Sequence, residues 1–511
     1  MTYDKKSEYS TEGKIESIIT EKKSIYKKKE LKRNINRIML ISPPGKITLT
    51  KEGSRERKLA VPPLGLAYMA ASLKKAGYEV NILDTLVEGY NNENANDSTI
   101  IYGLDDNAIK KKVLEFNPDL IGVSCIFSNR SAEALNICRI AKTTIPDVHV
   151  LLGGQHPTGM PELINEKNVD YILSGETDNS ILQLIKTVNA NDNLLEIDGI
   201  IIKRGEKIYK NSKRDYPDVK ILPYPSWELL DMNKYWNIGM SDYEVNQKSI
   251  KKFMILISSR GCPHSCYFCT ASLMSGRRYR EREIDDVVSE IGLYKEKYGI
   301  SEVHFWDDNF FVNKQRLKKL LIRLMQEFPE MEFQSPSGSE INALDEEVIE
   351  LLAKAGFKKV FLAVESPNEE IQDKLIDKRV DLKRIPYLIK IIHKHGMIAE
   401  GSFMVGFPGE TKEQIDNTFK SVKTFNFDRI SISIVNPLPG TSLFDKCREE
   451  NLFYDDFDVR NIRWSSENIR LKGIEKGYLS MMRRKVWLEY MNDRIDIEKY
   501  ETEKVRGKFI K

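Results

Sequence analysis

Cysteine is scarce in this sequence, with six residues among 511. So sparse a set does not build a disulfide framework, and it indicates a reducing compartment, which we take to be the cytoplasm. Long apolar runs are missing too. None approaches the ~20 residues that a membrane-spanning helix needs, and the N-terminus lacks the apolar stretch of a signal peptide. The sequence therefore predicts a cytoplasmic protein without a membrane span.

An excess of charge of one sign is also absent, because 79 Lys and Arg residues face 76 Asp and Glu residues, for a net charge of +3. This balance argues against a nucleic-acid-binding surface spread over the whole protein. With 41% apolar and 30% charged residues, the chain can form two or three soluble domains. Residues 1–34, lysine-rich from residue 22, predict a solvated, flexible leader; a docking or membrane-surface helix is the alternative.

From residue 35 onward, apolar strand patterns alternate with helical patterns. Strands are predicted at residues 37–42, 78–84, 119–124, 148–152 and 171–173, and helices at 64–76, 108–116, 131–144 and from 178. This alternation predicts an α/β domain with a doubly wound, Rossmann-like, five-stranded parallel sheet. Residues 191–250 are interpreted as a connector.

Small and polar residues stand at the predicted carboxyl ends of these strands, where such sheets bind ligands. They are Ser124, Gly153, Gly154, His156, Thr158, Gly175 and Glu176. Consecutive glycines let a flat, bulky ligand approach the backbone closely. The pattern indicates a nucleotide-like or cofactor-like ligand, and tight turns without a ligand are the alternative.

Three of the six cysteines form a C-x3-C-x2-C motif, Cys262, Cys266 and Cys269, which follows an apolar run at residues 253–257. Thiolates this close together on one loop suit iron or zinc. A [4Fe–4S] cluster held by three cysteines keeps one iron free for a substrate, whereas a structural zinc ion takes four protein ligands. His264 is an awkward fourth ligand, because it lies inside the short first spacer. Zinc remains the alternative.

A second alternation surrounds this motif. Strands are predicted at residues 253–258, 302–306, 331–335, 359–364, 398–405 and 429–435, and helices near 284–298, 313–328, 345–355, 383–395, 411–425 and 441–450. Six such units predict an incomplete (βα)6 barrel over residues 251–450, with its active site at the carboxyl ends of the strands. The cysteine loop follows the first strand and should lie at that end. Residues 451–511 predict a mostly helical C-terminal extension.

The cysteine motif, with Phe268 before its last cysteine, resembles the signature loop of radical S-adenosylmethionine (SAM) enzymes. The first alternation resembles the cobalamin (B12)-binding domain that precedes many of these enzymes, through Val-Pro-Pro-Leu-Gly at 61–65, Gly-Gly-Gln-His-Pro-Thr at 153–158 and Ser-Gly-Glu at 174–176. The resemblance spans residues 35–450 and implies a [4Fe–4S] cluster, SAM and cobalamin as cofactors, with cobalamin bound by residues 35–190.

The resemblance also implies roles for particular residues. The three cysteines of the motif would bind the cluster and form the catalytic centre. SAM would contact Phe268, Asp308, Glu365, Ser366, Gly406 and Glu410. Cobalamin would contact the seven strand-end residues from Ser124 to Glu176. One type of B12 domain carries Asp-x-His-x-x-Gly after its first strand, but here Pro-Pro-Gly occupies positions 43–45. We therefore expect cobalamin without an axial histidine, and His156 as a cofactor-loop residue.

The activity that the resemblance implies is that of a C-methyltransferase. A 5′-deoxyadenosyl radical would remove hydrogen from an unactivated carbon of a small molecule or peptide, methylcobalamin would supply the methyl group, and flavodoxin or ferredoxin would supply electrons. A cyclase or oxidoreductase without methyl transfer is one alternative, and a non-catalytic cobalamin or metal sensor is another. Methylthio transfer is disfavoured, because Cys125 and Cys138 do not form the second cluster motif of such enzymes.

Overall fold

The computed structural model describes residues 33–48, 58–96, 98–214, 216–238, 251–376 and 380–492. The predictions for residues 1–32, for residues 239–250 and for the tail beyond residue 492 lie outside these ranges. Within them, no helix is both long enough and apolar enough to cross a membrane. The described chain divides into two compact units. The first contains residues 33–48, Gly65–Pro217 and Pro225–Leu230, and the second contains residues 58–64, Asp218–Tyr224 and the chain from Asp231 onward.

The first unit is built on two sheets. Its strands are β1 (Arg37–Ser42), β2 (Gly45–Thr48), β3 (Glu79–Asp84), β4 (Glu93–Ala95), β5 (Thr99–Tyr102), β6 (Leu120–Ser124), β7 (His149–Gly153), β8 (Tyr171–Leu173), β9 (Ile200–Arg204) and β10 (Lys207–Lys210). The larger sheet has the order β10-β9-β8-β7-β6-β1-β3, and β2, β5 and β4 form a small antiparallel sheet. The five strands from β3 to β8 in the larger sheet run parallel, which confirms the predicted parallel core. β9 and β10, from the segment interpreted as a connector, extend that sheet in antiparallel fashion.

Helices accompany the parallel strands of the first unit. They are α1 (Leu64–Lys75), α2 (Thr85–Glu88), α3 (Asp106–Phe116), α4 (Ser131–Thr144), α5 (Gln155–Gly159) and α6 (Ser180–Ala190). Local chemistry sets the ends of α3, since the Asp105 side chain accepts from the Ala108 N–H and Asn117 takes the left-handed conformation after the last turn. The central strands read as continuous apolar runs because both faces of the sheet are buried.

The second unit contains the remaining elements. Its strands are β11 (Phe253–Leu256), β12 (Ser259–Arg260), β13 (Arg280–Glu281), β14 (Glu302–Phe305), β15 (Glu332–Gln334), β16 (Lys359–Glu365), β17 (Ile398–Val405) and β18 (Arg429–Ile434). Its helices are α7 (Met232–Ile238), α8 (Ala271–Ser275), α9 (Ile284–Tyr298), α10 (Lys314–Glu327), α11 (Glu346–Lys354), α12 (Glu369–Ile371), α13 (Ile385–Lys394), α14 (Lys412–Thr424), α15 (Ser442–Glu449) and α16 (Tyr478–Asn492).

Six parallel strands form the partial barrel. β11, β14 and β15 make one three-stranded sheet, and β16, β17 and β18 make another. Parallel bridges from Phe333 to Phe357 and from Ser339 to Leu362 join the two sheets. The predicted order of six strands, each followed by a helix, is therefore confirmed.

The tail covers the last barrel strand. Residues 450–477 are mostly irregular, with a short 3-10 helix at Val459–Asn461, and the tail's α-helix within the described residues is α16. The Arg483 Nε donates to the Ile432 carbonyl oxygen of β18 at 2.5 Å, and the Tyr490 hydroxyl donates to the Phe427 carbonyl oxygen. These bonds and the packing of α16 place the tail against the edge of the barrel that β18 forms.

Candidate active site

The cysteine loop lies between β12 and α8, after the first barrel strand, as predicted. The antiparallel pair of β12 with β13 encloses the cysteine loop together with α8. Gly261 has a φ of +90°, and a Cβ there would lie 2.3 Å from the Arg278 carbonyl oxygen, so this position requires glycine. The Cys262 N–H donates to the Gly276 carbonyl oxygen at 3.3 Å. The backbone therefore holds the loop in one shape.

None of the three loop cysteines forms a disulfide; two are half-buried and Cys269 is exposed. The Ala271 N–H donates to the Cys269 Sγ at 3.5 Å, and the Asn309 Nδ2 donates to the Cys262 Sγ at 3.9 Å. Among the described residues, no three His, Cys, Asp or Glu side chains converge where a single metal ion could be held. Cysteines that hold a [4Fe–4S] cluster bind different irons, and N–H donors to sulfur are typical of such sites. This donor set fits a cluster.

The segment after β14 reaches the cysteine loop. Asp308 Oδ2 accepts from the Gly261 N–H at 2.8 Å, so this predicted SAM residue is placed beside the loop. Its neighbour Asp307 is completely buried and accepts from the Ser258 N–H at 3.0 Å and the Ser258 hydroxyl at 2.8 Å. Burial raises the pKa of Asp307 despite these donors. The two aspartates fix the cysteine loop to the second barrel strand.

A buried carboxylate shapes the turn after β17. Glu410 Oε2 accepts from the Gly406 N–H at 2.7 Å and from the Phe407 N–H at 3.0 Å, and Gly406 has a φ of +93°. Within the described chain, Glu410 Oε1 is buried without a hydrogen-bond partner. Burial raises the pKa of Glu410 to about 7, although the Phe407 and Gly406 N–H donors act in the opposite direction.

Aromatic contacts bring this turn to the cysteine loop. The Phe407 ring centroid lies 6.0 Å from that of Phe268 and 6.1 Å from that of Tyr267. The Tyr267 hydroxyl is buried without a partner among the described residues. The structure thus brings together three predicted SAM residues, Phe268, Gly406 and Glu410, around an apolar wall with two unpaired polar atoms.

The end of β16 carries backbone strain. Glu365 has a φ of +62°, which costs a side chain roughly 1–2 kcal/mol, and the pairing with β17 shifts register between Ala363 and Glu365. The Gln372 Nε2 donates to the Val364 and Ser366 carbonyl oxygens and holds this bend. Ser366 is fully buried, and its hydroxyl accepts from the Asn368 N–H at 3.2 Å. Strain of this kind is often stored at functional sites.

Three residues support the candidate site although the sequence did not predict them: Gln372, Asn309 and Glu340. Glu340 Oε2 accepts from the Asn309 Nδ2 at 3.2 Å and lies 2.9 Å from the His264 Nε2. Asn309 directly follows the predicted residue Asp308 at the end of β14, which is a weak local signal. No local pattern marks Glu340 or Gln372, because their contacts come from the fold.

In the first unit, the predicted cobalamin residues gather at the carboxyl ends of β6, β7 and β8. Ser124 is the register partner of Gly153. Gly154 has a φ of +107°, and a Cβ there would lie 2.7 Å from the Cys125 carbonyl oxygen. Thr158 connects the loops that follow β7 and β8, since its hydroxyl donates to the Gly154 carbonyl oxygen at 2.8 Å and accepts from the Gly175 N–H at 3.0 Å.

Two further features at the carboxyl ends of these strands are relevant to the binding of a cofactor. His156 is buried, its Nδ1 lies 2.9 Å from the Ser128 Oγ, and burial lowers its pKa to about 4, so the imidazole is neutral at pH 7. The Ser174 hydroxyl, next to Gly175 and Glu176, is buried without a partner in the part of the chain that the structure describes. Glycine-lined backbone and an unpaired buried hydroxyl fit a large ligand with polar substituents such as cobalamin.

Comparisons with family models agree with two cofactor-binding domains in this chain. Residues 256–422 match the radical SAM superfamily, and residues 54–185 match the B12 binding domain. The chain therefore carries a B12-binding domain followed by a radical SAM domain. These domains imply a [4Fe–4S] cluster and SAM in the second unit and cobalamin in the first, and they favour the iron–sulfur interpretation of the cysteine loop over zinc.

Individual relatives span most of the chain. The cytidylyl-2-hydroxyethylphosphonate methyltransferase of Streptomyces wedmorensis is 29% identical over 449 residues, which are 81% of this chain and 83% of that protein. The anaerobic magnesium-protoporphyrin IX monomethyl ester cyclase of Rubrivivax gelatinosus is 24% identical over 426 residues, 82% of this chain and 71% of the cyclase. The fold is shared with the radical SAM methyltransferase TsrM from Kitasatospora setae, solved with cobalamin and a [4Fe–4S] cluster. The TM-score is 0.68 at 15% identity, over 88% of this chain and 91% of TsrM.

Proposed function

We propose that this protein is a cobalamin-dependent radical SAM C-methyltransferase that methylates an unactivated carbon of a small molecule. The observation that carries the proposal is the union of a B12-binding domain, a radical SAM domain and the cysteine motif in one chain. A methyltransferase relative that aligns across both domains supports it. When bound, the cluster and SAM supply a 5′-deoxyadenosyl radical, and methylcobalamin supplies a methyl group.

The three loop cysteines, Cys262, Cys266 and Cys269, are the proposed cluster ligands within the barrel at residues 251–450. The loop is closed by the β12–β13 pair, and Asp308 binds its backbone at Gly261. Thiolates are the groups that iron–sulfur clusters require. The role of Asp308 follows from this contact: it holds the loop at the end of β14 and faces the region where SAM would bind.

For SAM itself, we assign the wall made by Phe268 and the turn after β17. An adenine ring is flat and apolar on its faces, so it suits packing against Phe268 and the backbone at Gly406. Glu410 acts as a positioning residue, because it occupies two N–H groups of the turn and fixes its shape. Glu365 and Ser366, at the strained end of β16, complete the proposed SAM site.

Cobalamin is assigned to residues 35–190, at the edge formed by Ser124, Gly153, Gly154, Thr158, Gly175 and Glu176. His156 belongs to this edge as a cofactor-loop residue and not as the axial cobalt ligand. One imidazole nitrogen is bonded to Ser128, the ring is buried, and the first strand is followed by Pro-Pro-Gly without a histidine. A reduced flavodoxin or ferredoxin is the proposed external electron donor.

Cleavage of SAM tests this proposal. Anaerobically reconstituted protein with SAM, methylcobalamin and a reductant should form 5′-deoxyadenosine. Cys266→Ala should abolish this product. Cys138→Ala is the matched control, because Cys138 is a buried thiol in α4 of the other unit, and it should retain the activity. Absence of 5′-deoxyadenosine from the reconstituted wild-type protein would refute the proposal.

A ring closure without methyl transfer is the second candidate, because a cyclase relative aligns over 82% of this chain. Both candidates require SAM cleavage by the same barrel, so the Cys266→Ala result does not separate them. The destination of the SAM methyl group does separate them, since only the methyltransferase places it in the product.

A further inference from the structure

Asn309 is held in one orientation beside the cysteine loop. Its side chain is 8% exposed, and its Oδ1 accepts from the Phe311 N–H at 3.1 Å. Because a backbone N–H needs an acceptor, this bond assigns the oxygen and leaves Nδ2 on the other side. There Nδ2 donates to the Cys262 Sγ at 3.9 Å and to Glu340 Oε2 at 3.2 Å. Both amide hydrogens of Asn309 are therefore in use.

Glu340 connects Asn309 to the cysteine loop by a second route. Its Oε2 also lies 2.9 Å from the Nε2 of His264, which stands between the first two cysteines of the motif. Both side chains of this pair are mostly shielded, with exposures of 28% for His264 and 22% for Glu340. The Glu340 carboxylate thus orients the Asn309 amide that faces Cys262. The same carboxylate also contacts the cysteine loop through His264.

We infer that Asn309 tunes the reduction potential of the cluster by donating a hydrogen bond to the Cys262 thiolate, and that Glu340 holds it in place. The inference rests on the assignment of Cys262 as a cluster ligand. Reduction adds negative charge to a cluster, so a donor to its thiolate favours the reduced state and raises the potential. A nearby carboxylate has the opposite effect, because it repels the added charge.

Two substitutions separate these contributions by sign. Asn309→Leu keeps the branched shape of the side chain and removes the donor, so the midpoint potential should become more negative. Glu340→Gln keeps an acceptor for Asn309 and removes the negative charge, so the potential should become less negative. Asn342→Leu is the matched control, because Asn342 is an exposed amide two residues from Glu340 and should leave the potential unchanged.

The measurement is an anaerobic redox titration of reconstituted protein without SAM, followed by the electron paramagnetic resonance (EPR) signal of the reduced cluster. Iron content is measured on the same samples. A purely structural role for Asn309 would lower iron content and leave the potential of the remaining clusters at the wild-type value, and that result would overturn the inference. If Asn309→Leu binds no iron, Asn309→Ala, which also lacks the amide donor, replaces it in the titration, and an unchanged or less negative potential overturns the inference.

If Cys262 is wrongly assigned as a cluster ligand, the measurements give a different result. If wild-type protein forms no [4Fe–4S] cluster, or if Cys262→Ala retains the full cluster signal, Cys262 is not the ligand and the proposed function fails at that point. If the cluster forms, depends on Cys262 and has the same potential with and without the Asn309 amide, only the inference about Asn309 fails.

Discussion

Glu410 gives the most quantitative prediction, because it is 3% exposed and its Oε2 accepts two backbone N–H groups. Burial raises its pKa from 4.5 to about 7. A shift of this size corresponds to about 3 kcal/mol, since a tenfold change in proton binding is about 1.4 kcal/mol. The folded protein binds this proton more tightly than the unfolded chain does. The stabilisation is therefore complete below pH 4.5 and is lost as the pH rises through about 7.

Glu410→Gln keeps an acceptor for both N–H groups and removes the ionisation. Its amide introduces an unpaired buried donor, at a cost of about 1–3 kcal/mol that does not depend on pH. Between about pH 5 and pH 8, the free energy of unfolding of Glu410→Gln should therefore rise relative to wild type by about 2–3 kcal/mol. For a unit of this size, that corresponds to a relative increase in Tm of about 4–12 °C.

Thermal unfolding of cluster-free protein, followed by circular dichroism at several pH values, measures this difference. Wild type and variant share every other titrating group, so their difference isolates Glu410. Glu413→Gln is the matched control, because Glu413 is exposed in the first turn of α14, and its pH profile should follow that of wild type. Parallel profiles for wild type and Glu410→Gln would refute the reasoning.

The two cofactor sites give three further predictions. Gly261→Ala should prevent cluster assembly, measured as iron and sulfide content, because a Cβ would lie 2.3 Å from a backbone carbonyl oxygen; Gly292→Ala, where a Cβ meets nothing within 4 Å, should load fully. Thr158→Val removes the hydroxyl that joins the loops after β7 and β8, so cobalamin should bind about tenfold more weakly in equilibrium dialysis; an unchanged dissociation constant would contradict this role. His156→Ala should leave the EPR signal of bound cob(II)alamin unchanged, whereas loss of an axial nitrogen splitting would identify His156 as the cobalt ligand.

The elements of both units could be predicted from hydrophobic periodicity because most of their signals are local. β1 and α4 have the predicted bounds, Arg37–Ser42 and Ser131–Thr144. The place of β9 and β10 in the larger sheet could not be predicted. Their apolar residues follow a turn-rich segment, and pairing with β8 depends on the position of a strand that is distant in the sequence.

The candidate site likewise has parts that could be predicted from the sequence and parts that could not. The cysteine motif and the glycines at strand ends are local patterns, so the sequence shows them directly. The contact of Asn309 with Cys262 spans 47 positions, and that of Glu340 with His264 spans 76. Such partners are defined only when the strands of the barrel come together. The strain at Glu365 and the support from Gln372 likewise arise from the bend of the folded chain.

The destination of the SAM methyl group tests the proposed methyltransferase activity most directly. Reconstituted protein, cobalamin, a reductant and SAM with a trideuterated methyl group would be incubated with a small-molecule extract of the source cells and followed by mass spectrometry. We predict 5′-deoxyadenosine together with a product that carries the labelled methyl group on carbon, neither of which forms with Cys266→Ala. Formation of 5′-deoxyadenosine and a changed substrate without the label would contradict methyl transfer.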